Sequence, residues 1–431
     1  MNGSSPAATP ADAAAYLEQA QRDAVRLDAE AAPRAVRSVA VIGAGTMGSG
    51  IAIAALQAGF EVILVDLDDD SLQRGQARIV DHFRRRVDAG KLLADEAVTS
   101  LGRLTASADW NLVARVDLVI EAVFEDLAVK QAVFARLDSV ARHGAVLATN
   151  TSYLDIDAIA GATSRPHDVL GLHFFSPAQV MKLVEVIRGA ATAPDVMATG
   201  MAVAACMGKT PVPAGNAFGF IGNRVYNAYR RDCEFMLEDG AWPEDVDRAL
   251  TTFGFAMGPF AVADLSGLDI AWRMRKAQAA TRDPRTRYVD ILDRLCEMGR
   301  MGRKTGCGYY VYTNGRPAEA SDETVRAVIA QASARRGVQR RDLGGIEIQR
   351  RALAAMLNEA ALLCSQGVAA RPSDIDVVLT LGYGFPRAHG GLVCWARHQD
   401  RRRLRADLEA LSARTGHGFV AGDVDRLLDT A

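Results

Sequence analysis

The chain has 431 residues, room for two to four domains at roughly 100–200 residues each, which excludes a peptide or a single small module. Apolar residues make up 49% and charged ones 24%, with 38 Gly against 14 Pro, a globular composition that excludes whole-chain disorder or a collagen-like repeat. Fifty Lys and Arg against 52 Asp and Glu leave a net charge of -2, so no global basic field draws nucleic acid or an anionic membrane surface.

Residues 1–36 form an Ala-rich leader. Positions 12–30 predict a weak helix whose apolar stripe is too narrow to anchor it firmly, leaving a tether or a docked arm. Residues 38–60 are free of charge and long enough to mimic a membrane helix. Their interior reads otherwise: a β-branched strand, three glycines, a small-residue helix, then a second strand at 61–66, which together make a β-α-β unit. Alternation continues through LVIEAV, AVLATN, VLGLHFF, KLVEVI and TPVPAG. Residues 37–214 are therefore expected to form an α/β, Rossmann-type doubly wound parallel sheet.

Beyond it the pattern turns helical, at 221–237, 243–252 and 264–281, followed by a Gly-rich patch at 299–308 and a short aromatic strand, YYVY. Residues 215–313 make one helical domain, and 314–345, with a helix at 322–335, make a connector. Residues 346–431 echo the first helical block: IGNRVYNAYRRDCEFMLEDG at Ile221 aligns with IQRRALAAMLNEAALLCSQG at Ile348, and Gly254-Phe255 with Gly384-Phe385. The offset drifts from 127 to 130, so this is a duplication with small insertions, predicting two similar helical domains packed face to face.

Six cysteines lie far apart with no C-x-x-C pair, neither a metal spacing nor a disulfide framework. With no secretion, peroxisomal or retention signal, the expectation is a reduced, cytosolic protein without a metal, a membrane span or a nucleic-acid partner.

Gly43-Ala44-Gly45-Thr46-Met47-Gly48 is a G-x-G-x-x-G that follows a strand and opens a helix, and Asp66 ends the next strand. That register is a dinucleotide fingerprint: Gly43 for the turn, Gly45 for close approach of the pyrophosphate, Gly48 for helix–strand packing. Asp66 suits two ribose hydroxyls, and residues 67–70 hold no arginine for a 2′-phosphate, so NAD is favoured over NADP. His173 closes an apolar strand at the sheet's functional edge, and Glu185 is a carboxylate inside another apolar strand. An antiparallel turn through SPAQV would pair 173 with 185, and an acid-oriented imidazole is a general base for an alcohol. A packed histidine and a salt bridge from Glu185 to Lys182 or Arg188 are the plain alternatives. Asn150, Thr151 and Ser152 end another strand, and Asn223 lies in the first turn of the first helix beyond the sheet, where capping is the default role.

Together these residues resemble the NAD-dependent L-3-hydroxyacyl-CoA dehydrogenases of fatty-acid β-oxidation, through VAVIGAGTMGSGIA, DLVIEAVFEDLAVKQAVF, ATNTSYLDI, GLHFFSPAQVMKLVEVI, GNAFGFIGNR, FAMGPFAVADLSGLD and GRKTGCGYY, in family order across about residues 37–313. The tail, with GYGFPRAHGG, resembles the dehydrogenase half of the bifunctional hydratase-dehydrogenases. The resemblance implies His173 as base, Glu185 as its orienting acid, and Ser152 and Asn223 on the substrate's hydroxyl and thioester carbonyl. It implies NAD contacts from the glycine loop, Asp66, Glu125, Lys130, Asn150 and Lys304, and an acyl-CoA substrate in a cleft at the domain junction. No hydratase half precedes the 36-residue leader, so no hydratase activity is expected; a separate hydratase or thiolase partner, and a monomer or homodimer, are the expected associations. Tyr153 stands where many family members carry a small residue, and Arg350 takes the place of Asn223 in the duplicated copy, which is expected to be structural. Arg84, Arg85 and Arg86 are candidates for the CoA phosphates or a solvated helix face, and Arg401 to Arg403 a solvated helix start.

Overall fold

The computed structural model describes residues 9–26 and 31–430; the rest of the leader lies outside the described residues. Two compact units emerge. The first comprises Ala15–Asn223, apart from 27–30, together with Gln366–Gly382; the second comprises residues 9–14, Arg224–Ser365 and 383–430.

Among the described residues the first unit is built on eight strands: β1 (Ser38–Ile42), β2 (Glu61–Val65), β3 (Leu104–Ser107), β4 (Leu118–Glu121), β5 (Val146–Thr149), β6 (Val169–Phe174), β7 (Leu183–Arg188) and β8 (Thr210–Gly215). Their order is β3-β2-β1-β4-β5-β6-β7-β8. The first six run parallel, while β7 is antiparallel to β6, as the 173–185 pairing requires, and parallel to β8, so the last two strands run opposite to the rest. β3 was not anticipated: its four residues, LTAS, are neither apolar nor alternating, and its neighbour β2 supplies the pairing that local sequence lacks. The central strands β4, β5 and β6 are buried along their whole length, as strands covered on both faces must be. Val41, Ile51, Leu64, Ile120, Ala148 and Leu172 belong to the core that the sheet shares with its covering helices.

The chain reverses its winding direction between β1 and β4, and the crevice outside their carboxyl ends is where such sheets take ligands. Helix α1 (Pro10–Ala24) opens the described chain. It buries Ala13, Leu17, Ala20 and Ala24, a stripe of mostly small side chains narrower than hydropathy alone registers. Helix α2 (Thr46–Gln57) follows the glycine loop, and α3 (Asp69–Asp88) carries Arg84 and Arg85, both paired with Asp81.

Helix α4 (Gly222–Asp239) crosses from the first unit into the second, where α5 (Pro243–Phe253), α6 (Pro259–Ser266) and α7 (Leu268–Ala277) follow. The single helix expected at 264–281 is thus two, because Gly267 sits at φ 94° and breaks the turn. YYVY yields only a two-residue strand at Tyr312–Thr313: both preceding tyrosine N–H groups donate to the buried Asp264 carboxylate instead of a ladder. The connector helix lies at Glu323–Arg336, capped by Asp322, and the helix starting at Arg401 is capped by Asp400.

The block expected as a duplicate, 346–431, is divided between the two units. Helix α8 (Gly345–Ser365) packs on α5 in the second unit, whereas its partner α9 (Pro372–Gly382) packs on β7 and β8 in the first. β8 is an edge strand, and the segment leading into α9 covers it: Gly215 N–H donates to the Val368 carbonyl at 2.9 Å, and Ala214 bridges Ala369. Of the leader's described residues, Tyr16 and Asp23 on α1 dock on this same segment, with Tyr16 Oη donating to Asp376 at 2.9 Å and Arg371 donating to the Asp23 carbonyl. Arg350 forms an ion pair with Asp407 on the helix Arg401–Thr415.

Candidate active site

The three glycines of the loop each answer a different constraint. Gly43 has φ 101°, and a Cβ there would lie 2.7 Å from the Ala122 carbonyl oxygen, where β1 and β4 part. A Cβ on Gly48 would fall 1.8 Å from the Gly43 carbonyl, so α2 can approach β1 only without a side chain. Gly45 has nothing within 4 Å of a Cβ, and as the N-cap of α2 it provides no side-chain cap for the first-turn N–H groups, those of Thr46 and Met47 among them. An open, uncapped helix N-terminus beside a glycine cradle fits a diphosphate.

Asp66, just past β2, accepts the Ala44 N–H at 2.7 Å and the Leu67 N–H at 2.8 Å, which fixes its carboxylate against the loop. Arg78, on α3, donates to the Ala44 carbonyl at 3.0 Å. A search for basic residues confined to 67–70 misses it; helical periodicity from Asp69 onward is the signal that would have found it.

Glu125 and Lys130 are held inside the protein. Lys130 is wholly buried, its ammonium 2.7 Å from Glu121, which is equally buried, and 3.5 Å from Glu125. Glu121 also accepts from Thr149 Oγ1 and the Val123 N–H, both at 2.7 Å. Glu125 accepts Thr151 Oγ1 at 2.6 Å and the Ser152 N–H at 2.8 Å, which shapes the loop after β5. Asn150 Oδ1 accepts the Phe174 N–H at 2.9 Å, tying that loop to β6. Lys304 belongs to the second unit, where its ammonium lies 2.5 Å from Asp269.

His173 and Glu185 face each other in the β6–β7 register, and the imidazole Nδ1–H donates to Glu185 Oε2 at 2.8 Å. Lys182 and Arg188 are not the partners of this acid. Its other oxygen, Oε1, accepts the N–H groups of both Ile221 and Gly222 at 3.0 Å. That double donation depends on the backbone before it, since Gly219 has φ 80° and Phe220, wholly buried, has φ 49°. A large non-glycine residue there is an outlier of the kind found where a site over-determines its backbone. After two consecutive residues of positive φ the next two N–H groups converge on one oxygen, a nest of two donors, so Glu185 is hydrogen-bonded despite full burial. Sequence reading missed Phe220, because nothing in GNAFGF marks which residue after the glycine turns left-handed.

The His173 ring lies against Phe175 and Phe220, with centroids at 4.4 and 5.7 Å. Nδ1 is engaged, so Nε2 is the ring nitrogen left for a substrate. Asn223 follows the nest directly, and its amide donates to the Ser152 carbonyl at 3.2 Å. Tyr153, next to Ser152, lies 5.1 Å from Phe218 between ring centroids.

The chain has relatives among known proteins. Residues 38–217 match the family described as 3-hydroxyacyl-CoA dehydrogenase, NAD binding domain, and residues 219–312 match the C-terminal domain of the same family. The crystal structure of 3-hydroxybutyryl-CoA dehydrogenase from Escherichia coli is 31% identical, with a TM-score of 0.71, and covers 88% of this chain and 100% of that one. The chain belongs to the 3-hydroxyacyl-CoA dehydrogenase family. Its first unit holds this family's NAD-binding domain. The dehydrogenase part of a multifunctional enzyme from C. elegans, 26% identical, aligns over 96% of this chain and 97% of that one with a TM-score of 0.66. The peroxisomal bifunctional enzyme of Danio rerio is 40% identical over 393 residues, 88% of this chain and 54% of that protein. The chain thus spans about half the length of the curated relatives it matches. Among the described residues no helix is long and apolar enough to cross a membrane.

Proposed function

We propose that this dehydrogenase-family protein oxidises L-3-hydroxyacyl-CoA to 3-ketoacyl-CoA with NAD, and catalyses the reverse with NADH. The observation that carries the reading is the 2.8 Å His173–Glu185 pair, anchored by two backbone N–H groups at the functional edge of an NAD-binding sheet. NAD, when bound, supplies the hydride acceptor; the glycine loop, Thr46, Met47 and Asp66 are the residues to hold it. His173 Nε2 takes the proton from the 3-hydroxyl as the C3 hydride departs, and Glu185 keeps the imidazole in the Nδ1–H tautomer and stabilises its positive charge. Ser152 and Asn223 orient the hydroxyl and thioester carbonyl. Glu125, Lys130 and Asn150 act at least in part by shaping the loop after β5, and Lys304 is assigned to the cofactor by family resemblance.

A short-chain substrate is a second reading, favoured by the full-length match to a 3-hydroxybutyryl-CoA dehydrogenase. A cytosolic site accords with six cysteines that form no disulfide among the described residues, although the curated relative named above is a peroxisomal protein. The leader recruiting a hydratase or thiolase is tested by pull-down with and without residues 1–36.

The deciding experiment is NADH consumption with acetoacetyl-CoA and a medium-chain 3-ketoacyl-CoA, with NADPH as control. Turnover with NADH that His173→Ala lowers about 10²–10⁴-fold, while NADH still binds, supports the assignment. Absence of turnover on both substrates with NADH bound points to a nucleotide-binding protein without this chemistry.

A further inference from the structure

The segment from 175 to 182 joins β6 to β7, and so carries His173 on one side and Glu185 on the other. Within it, the Val180 and Met181 N–H groups both donate to the Pro177 carbonyl, at 2.9 and 3.0 Å. The carbonyls of Ala178 and Met181 are instead gathered by one side chain from elsewhere, the ammonium of Lys209, at 2.5 and 2.8 Å. Lys209 stands just before β8 and is only 8% exposed. The next residue extends the clamp, with the Thr210 N–H donating to the Lys182 carbonyl at 2.7 Å.

The opposite side of this turn rests on the cofactor helix. A Cβ on Gly50 of α2 would lie 2.7 Å from Gln179 Oε1 and 3.1 Å from Ala178 Cβ, so turn and helix are in contact. Phe175, the first residue of the segment, lies against the His173 imidazole at 4.4 Å. A shift of the turn therefore moves the wall of the imidazole and both arms of the pair.

We propose that Lys209 is a positioning residue for the reaction: its ammonium, by clamping the Ala178 and Met181 carbonyls, fixes the β6–β7 turn and through it the His173–Glu185 geometry beside the cofactor helix. Burial of an ammonium is costly, and a compact charge with three donors suits two converging carbonyls in a way a planar guanidinium does not. Burial, with the nearby Lys182 charge, pushes the Lys209 ammonium down to about 8.

The proposal rests on the dehydrogenase reading for its kinetic readout, so a second readout is independent of activity. Lys209→Met and Lys209→Arg are made in the full chain. Steady-state NADH oxidation with acetoacetyl-CoA, NADH fluorescence titration and the 13Cε1 titration of His173, assigned with His173→Gln among seven histidines, are measured on each. Lys209→Met is expected to lower kcat about 10- to 100-fold, with KM and NADH affinity held within about threefold, because a displaced base reacts slowly while binding groups stay put. Its His173 titration midpoint moves, and Lys209→Arg recovers part of both effects. Should Lys209→Met fail to fold, Lys209→Gln, which keeps a donor, is read against the same criteria. A folded variant with kcat within about twofold of the parent and an unmoved His173 titration overturns the proposal. If the parent itself turns over no 3-ketoacyl-CoA, the functional reading fails, and the His173 titration alone decides on Lys209.

Discussion

Replacing Glu185 with Gln tests the core of the site with a change of one heavy-atom type. The carboxylate makes two kinds of contact: Oε1 receives two backbone N–H groups, and Oε2 receives the His173 Nδ1–H. A glutamine must choose. If its NH2 faces Ile221 and Gly222, two buried N–H groups meet donors, at a penalty of about 1–3 kcal/mol each. Keeping the carbonyl oxygen in the nest avoids roughly 2–6 kcal/mol, so the amide NH2 turns to the imidazole. His173 can then accept only through Nδ1, which places its proton on Nε2, the nitrogen that has to take a proton. The loss expected is that of a general base, about 10²–10⁴ in kcat. NADH affinity is expected to stay within about twofold, since no loop residue is altered. Stopped-flow absorbance of NADH with acetoacetyl-CoA measures the first and fluorescence titration the second. A Glu185→Gln protein within about fivefold of the parent kcat would refute the tautomer argument.

The glycine loop separates folding from binding: Gly45→Ala, with open space before it, is expected to melt like the parent yet bind NADH at least about tenfold more weakly, a loss of about 1.4 kcal/mol. Gly48→Ala, with its Cβ driven onto the Gly43 carbonyl, is expected to lose at least about 1–3 kcal/mol of stability in urea unfolding. Lys130→Met strips a buried carboxylate of its counter-charge and is expected to lower stability by about 3–5 kcal/mol; a variant of parental stability with weakened NADH binding would instead make Lys130 a direct contact. Lys209 is pushed down to about 8 in the fold from an ordinary 10.5, so the unfolded chain binds the extra proton between those values. Stability relative to Lys209→Met is therefore expected to rise with pH across that window, by at most about 3 kcal/mol, in unfolding titrations at pH 7 and pH 10. A flat or falling difference would contradict the burial of a charged amine.

The parts of this protein that could be read from its sequence are those whose meaning is local. Strand, three glycines, helix and a terminal acid lie within 29 residues, from Ser38 to Asp66, and Gly43 and Gly48 meet the turn and packing constraints their spacing implies. The His173–Glu185 pairing was also within reach, because a short turn between two apolar strands permits few registers. What stayed hidden depends on distant chain. The nest that holds Glu185 arises from the φ of Phe220, the clamp of Lys209 acts across 31 residues, and β3 is a strand because β2 lies beside it. The sequence pattern places 346–431 together as one helical block, but the helix Pro372–Gly382 packs on the NAD-binding sheet, whose edge strand the segment before it covers.

The covering of β8 by Gly367–Ala369 and α9 also sets a schedule for biosynthesis. About 150 residues separate the last sheet strand from the segment that closes its edge, so a ribosome adding about 5–20 residues per second leaves that edge open for about 8–30 s. During this interval the Gly215 N–H has no strand to meet, and the nascent sheet can pair with any extended chain nearby. Nascent chains of this protein are accordingly expected to engage chaperones at β8 and to release them only when α9 has left the exit tunnel. A stop codon shortly after Ser365 would make that exposure permanent.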